Sequence, residues 1–307
     1  MEQLGEKERQ RKRHRSFHQP RDHGRQDSAA GTNPFMPMFL AFRDELDQHH
    51  DRRERIIKAS RDITALSKKM IFSLQRFPPS LALLPCPCSS ERLGAAAALT
   101  ASHSARRHKA PLPPPLQAEI ASRQAEINAH LTAIGPDLQS LNAHRYRQIS
   151  GGLQELVEAL CFHHYLTSGT LLSHAAAQAM VPGGIELAAA DYVLGVFDFV
   201  GEVMRFGITM MALGGGGGGG SGGEDTAAHS RILLDLRRLR EEFERLDSFA
   251  TGAFLGREAD RKMVVMKQCV EKVETAVYGV IVRGSEKPKG WVPDLDAPAG
   301  RYEPTME

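Results

Sequence analysis

Cysteine is scarce in this chain, with four in 307 residues, at positions 86, 88, 161 and 269. None are in a CxxC spacing, so neither a structural zinc site nor a disulfide framework is indicated. Such sparing use fits a reducing compartment. Long apolar runs are also missing. None reaches about 18 residues without charge, so no membrane-spanning helix is expected. No apolar h-region follows Met1, and no secretory signal is expected either. Charge of one sign is not in excess, since 39 Lys and Arg face 37 Asp and Glu for a formal net charge of +2. Bulk positive charge therefore cannot carry nucleic-acid binding, and basic residues must cluster locally or come from a partner. No Ser/His/Asp, P-loop or GxGxxG arrangement stands out. The glycine run at 214–220 lacks the Lys-Ser/Thr of a phosphate loop. The adjacent pairs His49-His50 and His163-His164 point to different helix faces and read as packing or surface residues.

What is present is helical periodicity. Hydrophobic residues make up 41% and charged residues 25%, enough for a sizeable core. Residues 1–33 are polar and charged, and Lys7 to Arg15 reads KERQRKRHR. Such a cluster is a nuclear address, a nucleic-acid-binding arm or a solvated tail. From Phe39 to Leu74 seam residues recur at alternating spacings of three and four. No Gly or Pro interrupts the run before Pro78, which predicts one helix of roughly 38 residues, about 57 Å long. Its seam is apolar at both ends and polar in the middle, around His49 and Arg53. The helix is therefore expected to meet something polar midway.

Residues 77–115, with Pro78-Pro79, Pro85, Pro87, an alanine run and Pro113-Pro114-Pro115, read as a low-complexity insertion. Further helices are predicted at 116–134, 137–166, 171–180, 185–213, 226–249 and 257–282. The Gly151-Gly152 pair weakens the third of the chain's helices, and Arg283-Gly284 stops the last. The glycine-rich stretch 214–225 is a flexible linker. No strand-period segment occurs. The expectation is an all-α protein of about seven helices in one domain, 34–286, with a basic arm at 1–33 and a loose tail at 287–307.

The unusual chemistry lies on two helices. Between Asp191 and Met211, Asp191, Asp198, Glu202, Arg205 and Thr209 fall within about 40° of one direction on a helical wheel. The rest of the wheel is apolar or glycine. A surface helix has a broad polar face, whereas this is a narrow polar stripe. Asp198 and Glu202 stand at i,i+4 and repel each other. On the earlier helix Glu155 and Glu158 are similarly set among Leu, Val, Phe and Tyr. Four acids so placed resemble a hard-cation site, because Mg²⁺ takes carboxylate oxygens and water. An ion network including Arg205 and plain solvated acids remain open as alternatives. Arg61, Lys68 and Lys69 belong to a basic run on the first helix that lines an RNA path or forms a solvated face.

Several segments, in order, resemble the translin-associated factor X family. They are Ser60-Arg61-Asp62-Ile63-Thr64 with Ser67-Lys68, and Gly152-Leu153-Gln154-Glu155 with Val157-Glu158-Ala159. Asp191-Tyr192, Leu194-Gly195-Val196, Asp198, Gly201-Glu202 and Met204-Arg205 follow. Lys272-Val273-Glu274 leads to Val282-Arg283-Gly284-Ser285-Glu286. The resemblance implies a seven-helix translin-like bundle with one long N-terminal helix, assembling with translin into a hollow hetero-oligomer. It implies Mg²⁺-dependent cleavage of RNA, either small-RNA passenger strands or tRNA-processing fragments, and a cytoplasmic and nuclear location. The family's catalytic and metal-binding acids fall on Glu155, Glu158, Asp198 and Glu202. Translin proper is apolar where Glu155 and Glu158 stand. Arg147, just before the Gly-Leu-Gln-Glu segment, is implied as a phosphate contact. A non-catalytic translin-binding scaffold and a single-stranded nucleic-acid-binding module are the rival expectations.

Overall fold

A computed structural model describes residues 33–76, 112–214, 222–247 and 256–286. Within them the protein is all-α, as expected, and no strand occurs among the described residues. The helices are α1 (Met36–Gln75), α2 (Pro114–Ile134), α3 (Leu141–Arg145), α4 (Ser150–Ser168), α5 (His174–Ala179), α6 (Ala189–Gly214), α7 (Gly222–Asp247) and α8 (Gly256–Glu286). Two 3₁₀ turns, Gly135–Leu138 and Arg147–Ile149, link them. No described helix is long and apolar enough to cross a membrane. Residues 1–32 of the basic arm, most of the Pro/Ala-rich insertion, residues 215–221 and the tail lie outside the described residues; the linker expected over 214–225 is shorter, because Gly214 closes α6 and α7 begins at Gly222.

The chain divides into two units, residues 1–48 and 49–307, and α1 runs across the division. In the first unit the Asn33 side chain accepts a hydrogen bond from the Phe35 amide at 3.0 Å, just ahead of the helix. The apolar side chains of this unit, including Phe35, Phe39, Phe42 and Leu46, are exposed. In the second unit the same seam is buried from Ile56 through Ile63, Met70 and Leu74.

The core of the second unit is built on α6. Both α4 and α8 pack extensively on it, and α7 packs on α6 and α8. Phe162 meets Phe206 edge-to-face at 5.9 Å, and Tyr165 meets Phe199 at 5.8 Å. These contacts lock α4 against α6. Two glycines permit the close approach. A Cβ at Gly195 of α6 would stand 2.7 Å from the Gln154 carbonyl oxygen and 2.8 Å from Val157 Cγ1 of α4. A Cβ at Gly152 would stand 3.0 Å from the Ser60 carbonyl oxygen and Oγ of α1. Ser60 Oγ instead accepts the Gly152 amide at 3.2 Å.

Three other boundaries differ from the sequence expectation. The single helix over 137–166 is broken into α3, a 3₁₀ turn and α4, with Ser140 ahead of α3 at a positive φ of 57°. The glycine pair there lies in the first turn of α4, where Gly152 serves packing against α1. The insertion ends earlier than 115, because Leu112 is buried and Pro114 opens α2, where a missing amide proton costs nothing. The last helix runs through Gly284 to Glu286. One glycine in an otherwise helical run costs only about 1 kcal/mol and did not end it.

Midway along α1 the polar seam meets polar partners through His49, whereas Arg53 pairs with its exposed neighbour Glu54, and the residues that reach Asp137 lie off the seam. Arg52 and Arg55 donate to Asp137 at 3.3 and 3.0 Å, holding its carboxyl below the usual range. His49 bonds to the Tyr146 hydroxyl and to Arg145.

Gly195→Val should destabilise the protein by about 1–3 kcal/mol, because the added side chain must push α4 away from α6. Urea denaturation measures it. An unchanged midpoint would show that the helix pair has slack at this crossing.

Candidate carboxylate site

The crossing of α4 and α6 places Glu155, Glu158, Asp198 and Glu202 around one cavity of about 840 Å³. All four predicted acids are brought together. Asp191, on the same stripe of α6, is not. It is buried in the first turn, where Ser150 Oγ and Gln154 Nε2 donate to it.

Three of the four acids have a cation of the protein itself. Glu155 Oε1 lies 3.2 Å from Lys68 Nζ of α1. Asp198 Oδ2 lies 2.6 Å from Lys262 Nζ of α8, which also donates to the Leu194 carbonyl at 3.2 Å. Arg205 Nη1 donates to both Glu202 oxygens at 2.9 and 3.0 Å, and Gln75 Nε2 of α1 donates to Glu202 Oε2 at 2.8 Å. Arg205 is largely exposed, so its pair contributes at most about 1 kcal/mol. Lys262 is mostly covered, and removing it would leave Asp198 uncompensated.

Glu158 is the exception. Its residue is buried, and none of these cations pairs with it. Burial, followed by the charges of Asp198, Glu155 and Glu202, pushes its carboxyl up to about 8, against a smaller opposing pull from Lys262. Glu155 Oε2 is also buried with no hydrogen-bond partner. Among the described residues no three His, Cys, Asp or Glu side chains stand close enough together to hold a metal ion. The donor set nevertheless fits a hard cation in chemistry. It has four carboxylates on one cavity, one oxygen without a partner, and one carboxyl driven toward protonation by burial and then by its acidic neighbours.

The other candidates scatter. Lys68 lines the cavity, whereas Arg61 and Lys69 are exposed on α1 and do not. Arg147 is exposed in the 3₁₀ turn ahead of α4. Sequence reasoning missed Lys262, Arg261 and Gln75, which all line the cavity. The spacing of Arg261-Lys262, Val265 and Cys269 marks one face of α8, but nothing local ties that face to Asp198.

An all-helical bundle with an acid-lined cavity at the junction of two helices is thus the class defined by fold and site. A model of the Translin family matches residues 51–284, and the chain belongs to that family. It is 28% identical to translin-associated protein X of Rattus norvegicus, covering 93% of this chain and 91% of the rat protein. It is 31% identical to the translin-associated protein X homolog of Schizosaccharomyces pombe, covering 81% and 89% respectively. The fold is similar to the crystal structure of apo-NeC3PO, with a TM-score of 0.54 at 14% identity, covering 82% of this chain and all of that one.

Folded protein holds the Glu158 proton up to about pH 8, whereas an unfolded glutamate releases it near 4.5. Between these values the folded state binds more protons, so this contribution to stability is full below 4.5 and is lost as pH rises toward 8. In chelator-treated buffer Glu158→Gln should flatten that decline, which for wild type amounts to a few kcal/mol. Urea midpoints at pH 5 and pH 8 measure it, and equal slopes in both proteins would place the titration elsewhere.

Proposed function

We propose that this protein is the catalytic subunit of an Mg²⁺-dependent endoribonuclease that works in complex with translin. The observation that carries the reading is the convergence of Glu155, Glu158, Asp198 and Glu202 on one cavity, with Glu158 buried and without a cation of its own. The names of the relatives, translin-associated protein X, support the choice of partner.

In this reading the four carboxylates would hold the metal. Bound Mg²⁺ would supply an activated water and charge stabilisation for phosphodiester hydrolysis. Glu158 could instead stay off the metal and serve as the general base, since burial and its acidic neighbours give it an affinity for a proton near neutral pH. Arg261 lines the same cavity and is available to pair with RNA phosphates, and Lys68, Arg205 and Lys262 would join it once a metal took over their carboxylates. Lys262 has a second effect. Its ammonium holds Asp198 in place in the absence of other cations. The KERQRKRHR arm would add backbone contacts to RNA or direct the chain to the nucleus, beside a cytoplasmic pool.

One observation favours a non-catalytic scaffold instead. Three of the four acids are already neutralised by cations of the chain, as in a structural ion network. Cleavage of single-stranded RNA by the co-purified complex, in Mg²⁺ or EDTA, separates the two. Wild type should cut only with Mg²⁺, and Glu158→Ala should lose at least about a hundredfold in rate while still assembling. Equal cutting by both proteins would remove Glu158 from the chemistry. No cutting by an intact wild-type complex would leave the scaffold.

A further inference from the structure

The carboxylate cavity has an apolar part that the chemistry above does not use. Ile71, Phe72 and Val265 line it, together with Gly201. Gly201 lies in the interior of α6, between Asp198 and Glu202. Glycine there is less favourable than alanine because it loses more backbone freedom on folding. Other glycines of this helix are explained by packing. Gly195 lies against α4, and a Cβ at Gly207 would come 3.2 Å from Ile232 Cγ2. At Gly201 a Cβ would meet nothing within 4 Å. Packing therefore does not require this glycine. What the missing side chain leaves is room inside the cavity, beside the acids.

Phe72 is the second observation. Its side chain lines the cavity yet is 64% exposed, in a stretch of α1 whose neighbours Ile71 and Leu74 are buried. The Arg76 guanidinium carbon stands 5.6 Å from its ring centroid. An exposed aromatic ring among cations is the platform on which single strands stack their bases. Bases in a duplex are already stacked and offer no free face. Lys68, Arg205, Arg261 and Lys262 provide the matching positive charge for the adjoining phosphates.

We propose that Ile71, Phe72, Val265 and the open wall at Gly201 form a subsite for one unpaired nucleobase, next to the four carboxylates. The proposal rests on the RNA-cleaving reading and adds the side chains that seat the base of the strand being cut. A base seated there sets its own backbone phosphate beside the acids, whereas a duplex cannot present one.

The test uses the assembled complex in EDTA, so that binding is read without cleavage. The probes are a short oligoadenylate and the same strand with abasic riboses, followed by fluorescence anisotropy. Wild type should bind oligoadenylate about tenfold more tightly than the abasic strand. Gly201→Leu, which fills the space, and Phe72→Leu, at an exposed position that tolerates change, should each lose this preference. Both should bind the abasic strand as wild type does. Retained base preference in both variants overturns the subsite, as does equal weakening on both strands. Loss of translin from Gly201→Leu with base preference intact would assign the space to the partner and overturn it as well. A wild type that binds neither strand would remove the RNA reading itself.

Discussion

The close crossing of α4 and α6 is the constraint on which the rest depends. Gly195 removes the one side chain that would hold the helices apart, and the Phe162–Phe206 and Tyr165–Phe199 contacts fix them together. Each helix carries two acids at spacings of three or four residues, so each pair lies on one face. Once the helices meet, four like charges line the same cavity. Hydrophobic packing therefore enforces an electrostatic arrangement that the acids would not adopt by themselves.

The protein relieves that repulsion in two ways. Cations from three different helices come to the acids: Lys68 from α1, Arg205 from α6 and Lys262 from α8. The remaining acid, Glu158, holds a proton instead, because burial and its neighbours both disfavour its charge. A purely structural network has little use for a buried carboxyl that no cation of the chain reaches. A site that takes up a hard cation has such a use, since the cation replaces the proton and supplies the missing charge.

Much of this was legible in the sequence. The narrow stripe Asp198, Glu202, Arg205 on an apolar helix announced a buried acidic face, and His49 in the polar middle of α1 announced the partner it finds in Tyr146. Asp191 was misleading because it shares the stripe but caps the chemistry of its own first turn with Ser150 and Gln154. The broken helix at 137–149 was hidden because a 3₁₀ turn and a serine at positive φ leave no strong residue signature. Lys262 could not be read from any local pattern, since its pairing with Asp198 exists only when α8 packs on α6. Gly201 was visible as a residue, but its meaning depends on the empty space around it.

The central claim is that the acid cavity is built for a divalent cation and that Glu158 yields its proton when one binds. Calorimetric titration of Mn²⁺ into the metal-free protein at pH 7, in buffers of different ionisation enthalpy, tests it most directly. The account predicts one saturable site, release of about one proton per metal, and loss of both in Glu158→Gln. Saturable binding with no proton release, or binding untouched by Glu158→Gln, would contradict it, as would no binding at all.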